Sequence, residues 1–494
     1  MWVEILFVVL LCIPSFQVAI TDDETILYSP IYTNNTYLID KNGSLLNEWS
    51  SNFLPGMSSY FLPNGDILRP KRTNLQQGGS GGIQEFTSNG DIVWDYTYYS
   101  FGNYTTHHDI EPLPNGNVLS LSQFYLSFDE IVELGRNPLI TPVGGMWFEK
   151  IIEIKPMGPT SGNIVWEWNS VNHLIQDYDP MKANYGTVGD HPDLLDINYA
   201  NEIDTSLFHC NSIDYNLELD QILLSSRNFN EVWIVDHSNG ALLYRWGNPQ
   251  AYRVQGERKL FWQHDASWIQ NNCPGEGNIL IFNNGVGRGY SSIDEVNLSS
   301  GNVVWSYTEP DFYSPRFSSC KRLQNGNTIV SHCDQDIDCF FEVTLNKQKV
   351  WSLDVPDYGG IFKIDHKISG GNYVDCVGSL KWEKVQTNQT VNGTFQVINT
   401  GTDHLYWEIE AYPDWGNWTF LPSSGVDDTT VYVSVEAPAL QNQYFEGFIK
   451  VVNSYNEYDW DLIPIQLETK VTFGEIAAMN NYVSLHKQAN IRVD

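Results

Sequence analysis

The stretch GDIVWDY, residues 90–96, decides how this chain is read. A Gly-Asp turn hands over to a β-branched apolar run that ends in aromatic residues, the make-up of a strand leaving a hairpin. The same pattern recurs as GSLLNEW (43–49), GNIVWEW (162–168), GALLYRW (240–246), GNVVWSY (301–307) and, degenerately, KQKVWSL (347–353). Between these copies lies a second pattern, a polar turn leading into an apolar strand: NGDIL (64–68), NGNVL (115–119), DQILL (220–224), GNILI (277–281), NGNTI (325–329) and GGNYV (370–374). The two patterns alternate without exception. A hairpin pair cannot bury both of its faces alone, so six pairs predict six four-stranded units that stack on their neighbours. The expected fold is all-β, a six-bladed β-propeller over residues 30–378. Because the chain enters on YLIDKNGSLLNEW and leaves on FKIDHKISGGNYV, its first and last elements are expected to share a blade. Stacked sandwiches would also give twelve hairpins, but the fixed alternation favours a ring.

Outside the repeat the chain divides further. Two blades carry insertions, 122–150 and 170–206, of the kind that rim a site; their carboxylate runs, such as Asp129, Glu130 and Glu133, read as solvated. Residues 380–470 alternate at sandwich spacing with no blade repeat, which predicts a separate small immunoglobulin-like β-sandwich. A tail at 471–494 carries no strong signal. At the other end, WVEILFVVLLCIPSFQVAI (2–20) is apolar, too short to span a bilayer comfortably, and followed at once by TDDET. A signal peptide over 1–20 is expected, or a membrane anchor if it stays uncleaved, with the protein secreted or extracytoplasmic. Seven N-x-S/T sequons, at Asn34, Asn42, Asn103, Asn297, Asn388, Asn392 and Asn417, agree with export. In an oxidising compartment Cys333 and Cys339, which flank DQDID, are placed to close a hairpin disulfide. The net charge of -33 removes nucleic acid as a partner, since phosphate needs clustered Lys and Arg.

The chain has 11 histidines, and their placement is not random. His107 and His108 lie in HHD just before one second-pattern hairpin, His209 in FHCNSIDY before the next, and His264 in QHDASWI before the one after. The corresponding places elsewhere fall near Met57, Ser318 and Lys363. In a ring of blades the opening strands line the axis, so three imidazoles from adjacent blades converge there. Imidazoles suit a zinc, copper or iron site. Arg227, at the end of ILLSSR, would repel a dication, and together with Asn211 it makes a cradle for an anion. An anion beside a neutral imidazole is the arrangement for group transfer through a nucleophilic histidine, with a second histidine moving protons. No nucleotide loop is present: GGSGG (78–82) and GVGRG (285–289) lack the strand-to-helix setting and read as turns.

These residues resemble a known family, the aryl-sulfate sulfotransferases that work without PAPS, over roughly residues 35–376. The anchors are HHD (107–109), FHCNSI (208–213), ILLSSR (222–227) and QHDA (263–266), with Arg227 eighteen residues after His209. The resemblance implies that His264 is a nucleophile sulfated on nitrogen in a ping-pong cycle. It makes His108 and His209 acid/base and transition-state partners, and Asn211 and Arg227 the sulfuryl-binding groups. His107 and Ser318 are candidate substrate contacts, Ser318 or Ser319 standing where the family uses a hydroxyl residue. Phenolic sulfate donors, phenolic acceptors and no cofactor follow from the same resemblance. Members of the family carry a small β-domain before the propeller and dimerise through it; here the sandwich follows, so the oligomeric state stays open. That sandwich resembles BACON-like modules associated with carbohydrate binding. Two other classes remain: a non-catalytic propeller that binds glycans or proteins, and a histidine-ligated metal-dependent lyase or hydrolase.

Overall fold

The computed structural model describes residues 24–470 apart from 63, 74–79, 201–204, 272, 334–337, 356–359, 369–373, 401–403 and 455. The expected signal segment and the tail lie outside the described residues. Up to Ile368, six antiparallel sheets of four or five strands are described, one after another. The fourth is typical: Cys210–Asn216, Gln221–Ser226, Glu231–Asp236 and Leu242–Trp246, each paired with the next. In the second to sixth sheets the second pattern forms the hairpin between first and second strands, residues 370–373 of its last copy lie outside the described residues, and GDIVWDY and its copies form the last hairpin and the outer strand.

That outer hairpin has the same irregularity in every sheet, one extra residue in the motif strand, as Val93 against the step from Glu85 to Phe86 or Val350 against the step from Glu342 to Val343. The turn that opens most copies holds a left-handed residue, a conformation that costs Gly nothing. Gly90 has φ 94° and Gly301 φ 67°, and in the degenerate sixth copy Lys347 takes φ 66° at the same place. The conformation outlasts the glycine.

The aromatic of each motif joins one sheet to the next. The indole N–H groups of Trp49, Trp94, Trp168, Trp246, Trp305 and Trp351 donate to the carbonyls of Thr87, Ser161, Gly240, Gly301, Leu345 and Lys41, at 2.8–3.0 Å. Each acceptor sits in the outer turn of the following sheet, and the last bond returns to the first. A second set of bonds runs between the inner strands. Tyr60 Oη donates to Asp109 (2.5 Å), Ile213 N to Asp109 (3.2 Å), Ala266 N to Ser212 Oγ (2.9 Å), Cys320 N to Asp265 (2.9 Å), Lys321 Nζ to Asp365 (2.7 Å) and Phe61 N to Asp365 (3.0 Å). These too come back to their start.

Closure differs in detail from the expectation. First and last elements do share a sheet, but the closing strand Ile364–Ile368 pairs with Glu24–Tyr28, ahead of the expected boundary at 30, with Ile26 opposite His366. The strand ETILY was missed because polar residues precede it. Val374–Val377, expected in the propeller, pairs instead with Thr390–Asn399. It is the edge strand of a four-stranded C-terminal sheet that faces a five-stranded one, and the two bury Val397, Trp407, Val433 and Ile449 together. At the closure Lys41 Nζ lies 2.7 Å from Glu24 and also pairs with Glu342, while His366 Nε2 lies 3.3 Å from Glu24.

The insertions lengthen two strands of the third sheet to Val118–Leu126 and Met146–Pro156. They add the short helix Phe128–Glu133, which Ser127 and Glu130 close with a capping box. Buried Arg136 fastens one insertion to the other through the carbonyls of Ile197 and Ala200. No described helix is long and apolar enough to cross a membrane. The expected Cys333 to Cys339 bridge is not formed: Cys339 is a free thiol, and the register sets it opposite His332, one residue out of step with Cys333.

Trp94→Phe keeps an aromatic ring and removes the donor to Ser161 O, a carbonyl that the Met157 N–H still pairs. It should cost about 0.5–1.5 kcal/mol, read as a lower denaturation midpoint at unchanged slope; an unaltered midpoint would deny the indole bonds a role in stability.

Candidate active site

The inner strands begin with kinks. His108 and His209 both have φ 50°, Asp265 φ 45° and Ser318 φ 73°. The ladders shift register there: between Thr106 and Ile110, between Cys210 and Ser212, and between His264 and Ala266. A bulge re-aims side chains, and left-handed non-glycine residues store of order 1–3 kcal/mol that the surroundings must hold.

The expected cluster assembles. The His108 and His209 rings lie 5.1 Å apart between centroids, His209, His264 and Arg227 all act electrostatically on His108, and Arg227 and His209 act on His264. The Arg227 guanidinium lies 3.6 Å from the centre of the Trp262 ring and donates to Asn228 (2.8 Å). Asn211 donates to Gln263 O (2.8 Å) and is fully buried. Ser318 is buried, and its hydroxyl donates to Ser314 (2.9 Å). His107 stands behind His108, both ring nitrogens engaged: Nδ1 is 2.8 Å from His108 Nδ1 and Nε2 is 2.8 Å from Glu149.

Equivalence between the sheets differs from the sequence reading at one position. Asp109, Ser212 and Asp265 each accept the backbone N–H that follows the equivalent place in the next inner strand. These bonds align His108 with Asn211, His264 and Ser318. His209 reaches the cluster from two residues earlier, turned in by its own left-handed backbone.

His264 has a defined tautomer. The Asn284 amide donates to Ser314 O (2.8 Å) and Phe317 O (3.1 Å), which fixes its oxygen toward His264 Nδ1 at 2.9 Å. Trp262 O is 3.1 Å from the same nitrogen. Facing two acceptors, Nδ1 carries the proton and Nε2 keeps its lone pair. Burial first and Arg227 second push the His264 pKa down to about 3, with the Asn284 bond working in the other direction. Burial, then His209 and His107, hold His108 well below the ordinary imidazole value. Both rings are neutral bases at physiological pH.

Beneath the rings lies a charged floor. Lys363 Nζ is 3.0 Å from Asp109 and 3.2 Å from Asp265, the residues that directly follow His108 and His264. Burial works against the Lys363 ammonium, but Asp109 and its neighbours outweigh that and hold its pKa well above the usual value. Cavities of about 640 and 440 Å³ open farther along the inner strands, lined by Glu111, Asp214, Trp268 and Lys321. The smaller one also takes in Asp265 and Lys363 of this floor. Among the described residues no three His, Cys, Asp or Glu side chains form a metal-binding group. Asn284, Trp262, Lys363 and Glu149 went unread as functional residues: they come from other strands and loops, and nothing local marks which histidine each supports.

Two outcomes follow. Lys363→Met strands two buried carboxylates and should cost about 3–5 kcal/mol in unfolding experiments; a smaller loss means the floor is not held by charge. With the folded His264 pKa near 3, the unfolded chain binds the proton first. The group's contribution to stability therefore falls as pH drops from about 6.5 toward 3. Imidazole NMR should find His264 untitrated between about pH 5 and 8.

The family model described as arylsulfotransferase (ASST) matches residues 19–357. No curated protein compared with the chain matches it. Among solved structures, apo AztD from Citrobacter koseri is similar at 9% identity and TM-score 0.34, covering 69% of this chain and 97% of that one. Hsv2 from Kluyveromyces lactis follows at 9% and 0.30, covering 67% and 83%. Dihydro-heme d1 dehydrogenase NirN in complex with DHE aligns at 10% and 0.33, covering 91% and 76%.

Proposed function

The chain belongs to the arylsulfotransferase family, and from that premise we propose that it moves a sulfuryl group from a phenolic sulfate ester to a phenolic acceptor by a ping-pong cycle through a sulfated His264, without PAPS. In this reading the six sheets are the blades of a propeller, the C-terminal sheets are an immunoglobulin-like module, and the protein works outside the cytoplasm. The observation that carries the reading is the His264 ring, neutral, with Nδ1 given to Asn284 and Nε2 left as a lone pair in the field of Arg227.

In the first half-reaction His264 Nε2 attacks sulfur; the N–S bond forms, the S–O bond to the aryl group breaks, and the aryl oxygen leaves as phenolate. Its conjugate acid has a pKa of about 10, as for tyrosine, so it departs far more readily than an alkoxide. Charge spreads over the peripheral oxygens, as in phosphoryl transfer, and the Arg227 guanidinium and the Asn211 amide are the groups that hold it. Trp262 keeps Arg227 flat against one face. In the second half-reaction a phenol hydroxyl gives its proton to His108 Nε2 while its oxygen attacks sulfur; the new S–O bond forms and the N–S bond breaks. The proton then goes to the departed phenolate, which balances the cycle. His209 sits beside His108 as the transition-state partner.

Purified protein incubated with a chelator, a chromogenic aryl sulfate and a phenol should yield sulfated phenol. The peptide containing His264 should gain about 80 Da, the mass of SO3, and His264→Ala should abolish both. Activity that disappears with chelator would move the site to metal chemistry, and a folded protein with no transfer to several phenols would make the ring a binding scaffold.

A further inference from the structure

Glu149 lies in the second-to-third strand hairpin of the third sheet, on Met146–Pro156, and its carboxyl group is 2% exposed. Its two oxygens are spent differently. Oε1 accepts the backbone N–H of Cys210 at 3.0 Å, the residue directly after His209. Oε2 is 2.8 Å from His107 Nε2, and His107 Nδ1 is in turn 2.8 Å from His108 Nδ1.

Two facing imidazole nitrogens hold one proton between them. A carboxylate accepts, so His107 gives its Nε2–H to Glu149 and must then accept at Nδ1. His108 therefore carries its proton on Nδ1, and its Nε2 is left with the lone pair. The tautomer of His108 is dictated two residues away, through a second imidazole. The same carboxylate supplies negative charge when His108 takes up a second proton, which Arg227 and His209 otherwise oppose.

We propose that Glu149 is a positioning residue that makes His108 the proton acceptor for the incoming phenol, acting through the chain Glu149–His107–His108. This rests on the transfer reading above for its chemical purpose, though the tautomer it predicts does not. His107 is accordingly a relay behind His108, and the bond to Cys210 N–H ties the relay to the bulge that presents His209.

Glu149→Gln makes a sharp test because an amide has one accepting oxygen. If that oxygen stays on Cys210 N–H, the NH2 faces His107, which must accept at Nε2 and donate from Nδ1; His108 then accepts at Nδ1 and carries its proton on Nε2. ¹⁵N-imidazole spectra of the full chain should find His108 protonated at Nδ1 in the wild type and at Nε2 in Glu149→Gln, with Glu149→Asp returning to the wild-type pattern. A wild-type His108 protonated at Nε2 overturns the proposal whether or not the protein is active or the variant folds. In transfer assays, Glu149→Gln should lose about 10²-fold in rate toward phenol, and at least about tenfold less toward a nitrophenol already ionised at the assay pH, which has no proton to give. Equal losses for both acceptors would reduce Glu149 to a structural brace and overturn the relay. Wild-type spectra as expected without any sulfuryl transfer would leave the relay standing and remove the transfer reading.

Discussion

Six indole N–H groups, each donating to the outer turn of the following sheet, are the constraint on which the architecture depends. A four-stranded sheet of this composition has two apolar faces and no way to cover either alone. Stacking covers them, but stacking is non-directional; apolar faces slide. The tryptophan of each motif fixes the slide, since its ring fills the space between outer strands and its N–H reaches one carbonyl of the neighbour. Each such bond contributes only about 1 kcal/mol net. Their importance is that the sixth returns to the first, so no sheet can turn without disturbing the rest.

Between the inner strands the same neighbour-to-neighbour logic uses polar side chains. Asp109 and Asp265 pair with the next inner strand and with Lys363, and each directly follows a histidine in a kinked segment. Structural and reactive residues are thus adjacent in sequence, the carboxylate pointing into the floor and the imidazole into the site. Three buried charges in one place are costly to desolvate, and their mutual geometry compensates only if it is held closely. That rigidity is what the histidines need: His264 receives its tautomer from Asn284, His108 receives its own from His107 and Glu149, and neither ring has freedom to exchange nitrogens.

The hairpins and their order were legible from residues 43–353 because turn chemistry and strand pattern are local. The convergence of His108, His209 and His264 was legible too, since repeats convert sequence distance into spatial register. What was hidden is everything that depends on a distant partner. Glu24–Tyr28 became a strand because Ile364–Ile368 pairs with it, across most of the chain. Asn211, rather than His209, occupies the place equivalent to His108 and His264, because a bulge inserts residues that no periodicity announces. A cysteine pair flanking a short turn looked bridged, yet antiparallel register decides such pairs, and it sets Cys339 opposite His332.

The closing strand has a consequence for the order of events in folding. Lys363 directly precedes Ile364–Ile368, so the ammonium that holds Asp109 and Asp265 in place arrives with the last strand of the ring. During synthesis the sheets bearing His108, His209 and His264 can each form early from neighbouring hairpins, whereas ring closure joins residues more than three hundred positions apart. Such high contact order makes closure the slow step. The histidines are therefore made before the surface they rest on, and a nascent chain stopped short of residue 363 carries every reactive ring with no floor to align them.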